Sequence, residues 1–249
     1  MARYFLRLAF KGTQYHGWQI QKNAQSVQQI LNEALTRITR ENIYTVGAGR
    51  TDTGVHASYF IAHFDAEGAI LKDKTNFLFR LNGVLPKDIA VYDIFQVKEN
   101  NHARFDAISR TYQYVIVTHK DPFWDEFSNL ITLPLDVDAM ERATSALFHY
   151  SDFSSFCKSK SGAKTMICNV EHVSWEQNGH KVVFTITADR FLRNMVRAIV
   201  GTALNVGLHK ISVDDFSSII EQKNRSSAGT SAPAEGLFLT HIQYPYLPE

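Results

Sequence analysis

Strand and helix signals follow one another along this chain in the order β-α-β-β-α-β, and the order then starts again. That repetition constrains the fold more than any single residue. Two such units imply antiparallel sheets with helices on one face, an α+β design. In the first half, residues 3–10 alternate bulky and smaller or charged side chains and read as a strand. Gly12 and Gly17 open a loop. Ser26 and Gln29 have capping-box spacing, ahead of a helical face of Val27, Ile30, Leu31, Ala34, Leu35 and Ile38. Strands follow at 43–48 and 58–65. Asp73 caps a helix carrying Phe77, Leu78 and Leu81, Pro86 stops it, and 89–97 is the last strand of the half.

The second half opens with a strand at 112–118. Asp138 starts a helix with Ala139, Met140, Ala143 and Leu147. Strands at 167–177 and 181–189 are joined by Asn178-Gly179, a strong hairpin signal. Phe191 to Val206 is the most apolar helix and ends at Gly207. Ser212 and Asp215 cap another short helix, and 237–244 closes the chain as a strand. The polar stretch 222–235 reads as a surface loop or one ordered on binding. The expected division is 1–101 and 102–249.

Of the 249 residues, 45% are hydrophobic and 20% charged, so either half can bury a core. No apolar run approaches the roughly 20 residues that span a bilayer. Arginines inside the apolar start Met1–Arg7 make it neither a signal peptide nor an anchor. Cys157 and Cys168 form no metal-ligand spacing and no disulfide framework, which fits a cytoplasmic protein with reduced thiols. A net charge of +1 announces no nucleic-acid partner. Local clusters are more suggestive. Lys158, Lys160 and Lys164 share one loop, and Arg190, Arg193 and Arg197 recur every three or four residues. Such tracks bind phosphates or are simply solvated faces.

The chemistry centres on Gly49-Arg50-Thr51-Asp52-Thr53-Gly54-Val55-His56-Ala57. Asp52-Thr53-Gly54 spells the aspartic-protease signature, but such enzymes need two carboxylates, and this chain has one Asp-Thr-Gly and helix-bearing halves. The ten histidines include no H-E-x-x-H and no H-x-E with C-x-x-C, so His63, His149 and His172 read as structural residues. A lone carboxylate beside an arginine remains. Arginine favours the ionised form and fixes its direction, which suits nucleophilic or general-base work. The bland alternative is an Asx-turn with Arg50 in a surface ion pair.

The nine residues 49–57 resemble the signature of the tRNA pseudouridine synthase A family. Lys11 to Gln21, Asn82 to Pro86, His102 to Ala107, Arg110 to Tyr114, Asp152 to Phe156, Phe191 to Arg197 and Ala232 to Leu237 resemble further family motifs, in family order. The resemblance covers nearly the whole chain. It implies a pseudouridine synthase fold built from two ferredoxin-like or RRM-like units around a central cleft. It also implies isomerisation of uridine at positions 38, 39 and 40 of the tRNA anticodon arm, without cofactor or metal, by a homodimer. Asp52 matches the catalytic aspartate, and Arg50 the residue that fills the gap left by the flipped base or holds the backbone open. Tyr112 matches the active-site tyrosine and Arg197 the arginine paired with the carboxylate. Tyr114, on the same strand face as Tyr112, reads as core. Arg104, Lys158, Lys160, Lys164 and Arg193 are expected RNA contacts. A non-catalytic RNA-binding module is the rival reading, but the RNP1 pattern is missing and Asp52 would repel phosphate.

Overall fold

A computed structural model describes residues 1–67, 70–159 and 162–247. It is an α+β protein with nine strands and five α-helices among those residues. The sheet is mostly antiparallel among the described residues. Backbone contacts divide the chain into two units, Met1–Ile108 with the C-terminal segment from Leu239, and Ser109–Phe238. The expected boundary at 101/102 therefore falls inside the first unit. Residues 102–108 stay there because the C-terminal segment holds them: Tyr244 donates its hydroxyl to the Ala103 carbonyl, Tyr246 donates to Asp106, and the Ile108 N–H donates to the Gln243 carbonyl.

The first unit runs β1 (Ala2–Phe10), α1 (Val27–Thr39), β2 (Val46–Gly47), β3 (His56–Ala66), α2 (Lys74–Val84) and β4 (Ile89–Val97). β1 lies between β3 and β4, with Phe5 opposite His63 and Phe95. Phe5, Leu6, Leu8, Phe60 and Phe64 are fully buried and make the sheet side of the core, while α1 contributes Val27, Leu31 and Leu35. Ser26 caps α1 by accepting from the Gln29 N–H at 3.3 Å, but the Gln29 side chain donates to Glu33 instead of returning to the cap, so the box is half-made. The strand expected at 43–48 shrinks to two residues. The Ile43 N–H donates to Thr36 Oγ1 and the Thr45 N–H to Asn32 Oδ1, so donors that a ladder needs are taken by α1.

The second unit runs β5 (Ser109–Val117), β6 (Asn129–Leu130), α3 (Val137–Ser145), β7 (Val170–Asn178), β8 (Lys181–Ala188), α4 (Met195–Gly207) and α5 (Val213–Glu221). β9 (Leu237–Gln243) closes the chain and passes into the first unit at Leu239. β8 lies between β5 and β7, the Asn178-Gly179 hairpin is present with Gly179 at φ 58°, and β6 pairs parallel with β5. Asp136, not Asp138, caps α3, accepting from the Ala139 N–H at 2.8 Å. α4 starts four residues later than its apolar run suggests. Asn194 takes a left-handed φ of 66°, and the Met195 N–H donates to the Leu192 carbonyl, so Arg193 and Asn194 form a turn and Phe191 and Leu192 lie ahead of the helix. Arg190 and Arg193 thus precede the helix and share no face with Arg197. The complete capping box is at α5, where Ser212 and Asp215 bond each other reciprocally.

Candidate active site

Asp52 stands at the first position of a tight turn between β2 and β3. The Val55 N–H donates to the Asp52 carbonyl at 3.2 Å, and Gly54 has φ 80°, as the third residue of a type II turn requires. A second loop, residues 11–18, lies against this turn backbone to backbone. The Gly54 N–H donates to the Tyr15 carbonyl at 3.3 Å, and the Gly12 N–H to His56 Nδ1 at 3.0 Å. A Cβ on Gly12 would overlap the Val55 carbonyl, and one on Gly17 would overlap the Thr51 carbonyl. Gly17 is also left-handed, with φ 82°. Only glycine lets the two loops meet so closely.

The outer loop is fixed in turn. Tyr15 is buried and donates its hydroxyl to Asp88 at 2.7 Å. Burial, reinforced by Asp88, pushes its phenol well above the usual range, so it stays a donor at any pH the protein meets. Trp18 stacks on Phe60 with ring centroids 4.3 Å apart, over Gly47, whose missing side chain makes the room. The buried Gln28 amide ties three segments, accepting from Gln19 and the Ile20 N–H and donating to the Thr45 carbonyl. The result is a half-buried Asp52 side chain on a backbone with little freedom, with Arg50 exposed beside it. Arg50 and Arg104, 54 positions apart, line one surface pocket with Tyr44.

The segment carrying Arg104 is organised by two histidines. His63 is buried and accepts from the Ala103 N–H at 3.1 Å; His102 accepts from the Arg104 and Phe105 N–H groups and stacks on Phe105 at 4.2 Å. Burial first, then Arg3 and His102, lowers the His63 pKa to about 4, so it is a neutral acceptor near pH 7. This bears out its reading as a structural residue.

In the second unit, Tyr112 is half-buried on β5 with its ring edge-on to Phe191 at 5.1 Å. Tyr114 is fully buried and donates to the Pro233 carbonyl at 2.9 Å, a core role. α4 is buried on nearly every face; only Arg197 and Asn205 among its residues are not. The Arg197 Nε–H donates to the Ala232 carbonyl at 2.7 Å and the Ala232 N–H donates to the Arg197 carbonyl. The loop 222–235 is thus a pinned strap. A Cβ on Gly201 would overlap the Thr230 carbonyl, the Gly229 N–H donates to Thr202, and Arg225 donates to the Ala228 and Gly229 carbonyls and to Ser231. Lys158 and Arg193 are exposed and brought together, the Lys158 N–H donating to the Arg193 carbonyl at 3.0 Å. Lys164 is exposed, and Lys160 lies outside the described residues. Cys157 and Cys168 are buried free thiols, and burial pushes Cys168 up to about 12.

Sequence reasoning missed Gln28 and Tyr44, and the contacts made by His56 and the strap residues. Each acts through contacts with segments distant in sequence, and only Gln28, a polar residue inside an apolar helical face, left a local trace. Among the described residues no helix is long and apolar enough to cross a membrane, and no group of three or more His, Cys, Asp or Glu is placed to hold a metal ion.

Residues 8–106 and 146–245 match the model of a family described as tRNA pseudouridine synthase. A protein named tRNA pseudouridine synthase A from Bacteroides fragilis is 54% identical, over 98% of this chain and 96% of its own length. Relatives of the same name from Bacteroides thetaiotaomicron and Parabacteroides distasonis are 50% and 51% identical over 98% of this chain, and 91% and 97% of their own lengths.

Proposed function

This chain belongs to the tRNA pseudouridine synthase family, and on that premise we propose how its residues divide the work of isomerising uridine to pseudouridine in tRNA. The reaction breaks the N1–C1′ bond, turns the uracil and joins C5 to C1′, with loss of the C5 proton. Asp52 is the reacting carboxylate, acting as nucleophile at the sugar or as the base that starts glycal formation. The observation that carries this is the Asp52 turn itself: a half-buried carboxylate on a backbone clamped by Gly12, Gly17 and Tyr15. Such preorganisation holds a reacting group near its working geometry before substrate arrives.

Arg50 holds the RNA backbone open around the extruded nucleotide. Tyr112, its ring edge set by Phe191, packs on the target uracil. Arg197, its guanidinium directed by the Ala232 carbonyl, is the arginine we assign as partner of the reacting carboxylate. Arg104, Lys158, Lys164 and Arg193 contact phosphates, and the substrate sites are positions 38, 39 and 40 of the anticodon arm. We read the two units as repeats of one ferredoxin-like plan, and the working form as a cytoplasmic homodimer.

The test is tritium release from tRNA transcripts labelled at uridine C5. Asp52→Asn removes the reacting carboxylate at constant shape, so release should fall at least 1000-fold while tRNA affinity changes less than about threefold. An Asp52→Asn protein that still releases tritium at the wild-type rate overturns the assignment.

A further inference from the structure

The pocket beside the Asp52 turn is built from parts distant in sequence. Tyr44, Gly49, Arg50 and Arg104 line its wall, over a floor of Trp18 and Gln28. The floor is committed elsewhere, since Trp18 stacks on Phe60 and both ends of the Gln28 amide are bonded. The wall carries an aromatic ring and two guanidinium groups, that of Arg104 lying 5.8 Å from the Phe105 ring centroid, and no carboxylate side chain lines the pocket. Tyr44 is 59% exposed although both neighbours, Ile43 and Thr45, are buried. An aromatic ring so held is a platform, not a piece of core.

Gly49 supplies the second observation. A Cβ there would meet nothing within 4 Å, and its φ lies outside the left-handed region. Neither packing nor backbone geometry requires glycine at this position, in contrast to Gly12 and Gly17 nearby. Without a side chain there, the wall beside Arg50 stays open to a planar ligand.

We propose that this pocket is a subsite for the tRNA nucleotide adjoining the one isomerised, with its phosphate between Arg50 and Arg104 and its base on the Tyr44 ring. Consecutive Cα atoms are 3.8 Å apart, so Arg50 is rooted within about 8 Å of Asp52, the reach of one nucleotide step. Stacking on an aromatic tolerates any base, so the subsite adds affinity without reading sequence. The inference rests on tRNA being the substrate.

The experiment measures affinity for a tRNA transcript by fluorescence anisotropy, with single-turnover tritium release at saturating protein. Tyr44→Ala should weaken binding about tenfold and leave the saturated rate unchanged, and Tyr44→Phe should bind as wild type. Gly49→Val should weaken binding by a similar factor with an unaltered melting temperature. Arg104→Gln should reduce the slope of log affinity against log salt by about one. Wild-type affinity in both Tyr44→Ala and Gly49→Val overturns the subsite. A wild-type protein that binds the transcript but makes no pseudouridine sinks the enzymatic reading instead, and the affinity arms still decide the subsite.

Discussion

The Asp52 turn and the Arg197 helix hold a candidate site residue in place by opposite means. Asp52 sits on irregular backbone, and what fixes it is another irregular loop pressed against it through Gly12 and Gly17. Arg197 sits on a regular helix buried on almost every face, and what fixes it is the strap at Ala232, seated through Gly201. The first arrangement depends on backbone conformations that few residues adopt. The second depends mainly on helix packing, which many side chains support, with one required glycine, Gly201, of ordinary helical conformation. The loop should therefore be the more brittle of the two.

The largest effect that would break this comparison is at Gly17. Gly17→Ala places a methyl on a left-handed residue and into the Thr51 carbonyl. It should destabilise the first unit by about 2–4 kcal/mol and cut single-turnover activity at least 100-fold, read by urea melts and tritium release. Near-normal activity would mean that the turn tolerates movement and is no clamp.

A smaller effect sharpens the other side. Tyr114→Phe removes the hydroxyl that donates to the Pro233 carbonyl. Leaving that acceptor without its partner should cost about 1–2 kcal/mol in the denaturant midpoint, with activity reduced no more than about fivefold. A loss as large as that of Gly17→Ala would show that the strap is as brittle as the loop.

The smallest effect is in pH. His63 is neutral in the fold down to about pH 4, whereas an unfolded histidine titrates near its ordinary value of 6.5. Its contribution is therefore level above pH 6.5. Stability then falls as pH drops from 6.5 towards 4, because the unfolded chain takes up the proton first. The groups facing it are Arg3, His102, Asp65 and Asp106. His63→Asn should flatten that part of the stability profile, as measured by thermal melts across pH 4–7.

Much of this was legible in the sequence for a definite reason. The strands and helices follow short-range patterns, so their order and the Asn178-Gly179 hairpin could be read directly. Errors gathered where side chains diverted the backbone. β2 lost residues to Thr36 and Asn32, and α4 lost its first turn to Asn194. The Asp52 motif could be recognised, but its local residues left a plain turn and a reacting carboxylate equally open. The Tyr15 and Gly17 contacts give the turn its rigidity, and these join residues 34 or more positions apart in sequence.

By itself the sequence determined the α+β order, the candidate residues and the family, because periodicity, caps and motif strings are properties of neighbours along the chain. The tertiary structure alone decided which glycines are obligatory, which polar groups act as braces, and that the polar stretch 222–235 is a strap. Those outcomes depend on whether two distant backbones approach within hydrogen-bond or van der Waals distance, and no local pattern encodes that.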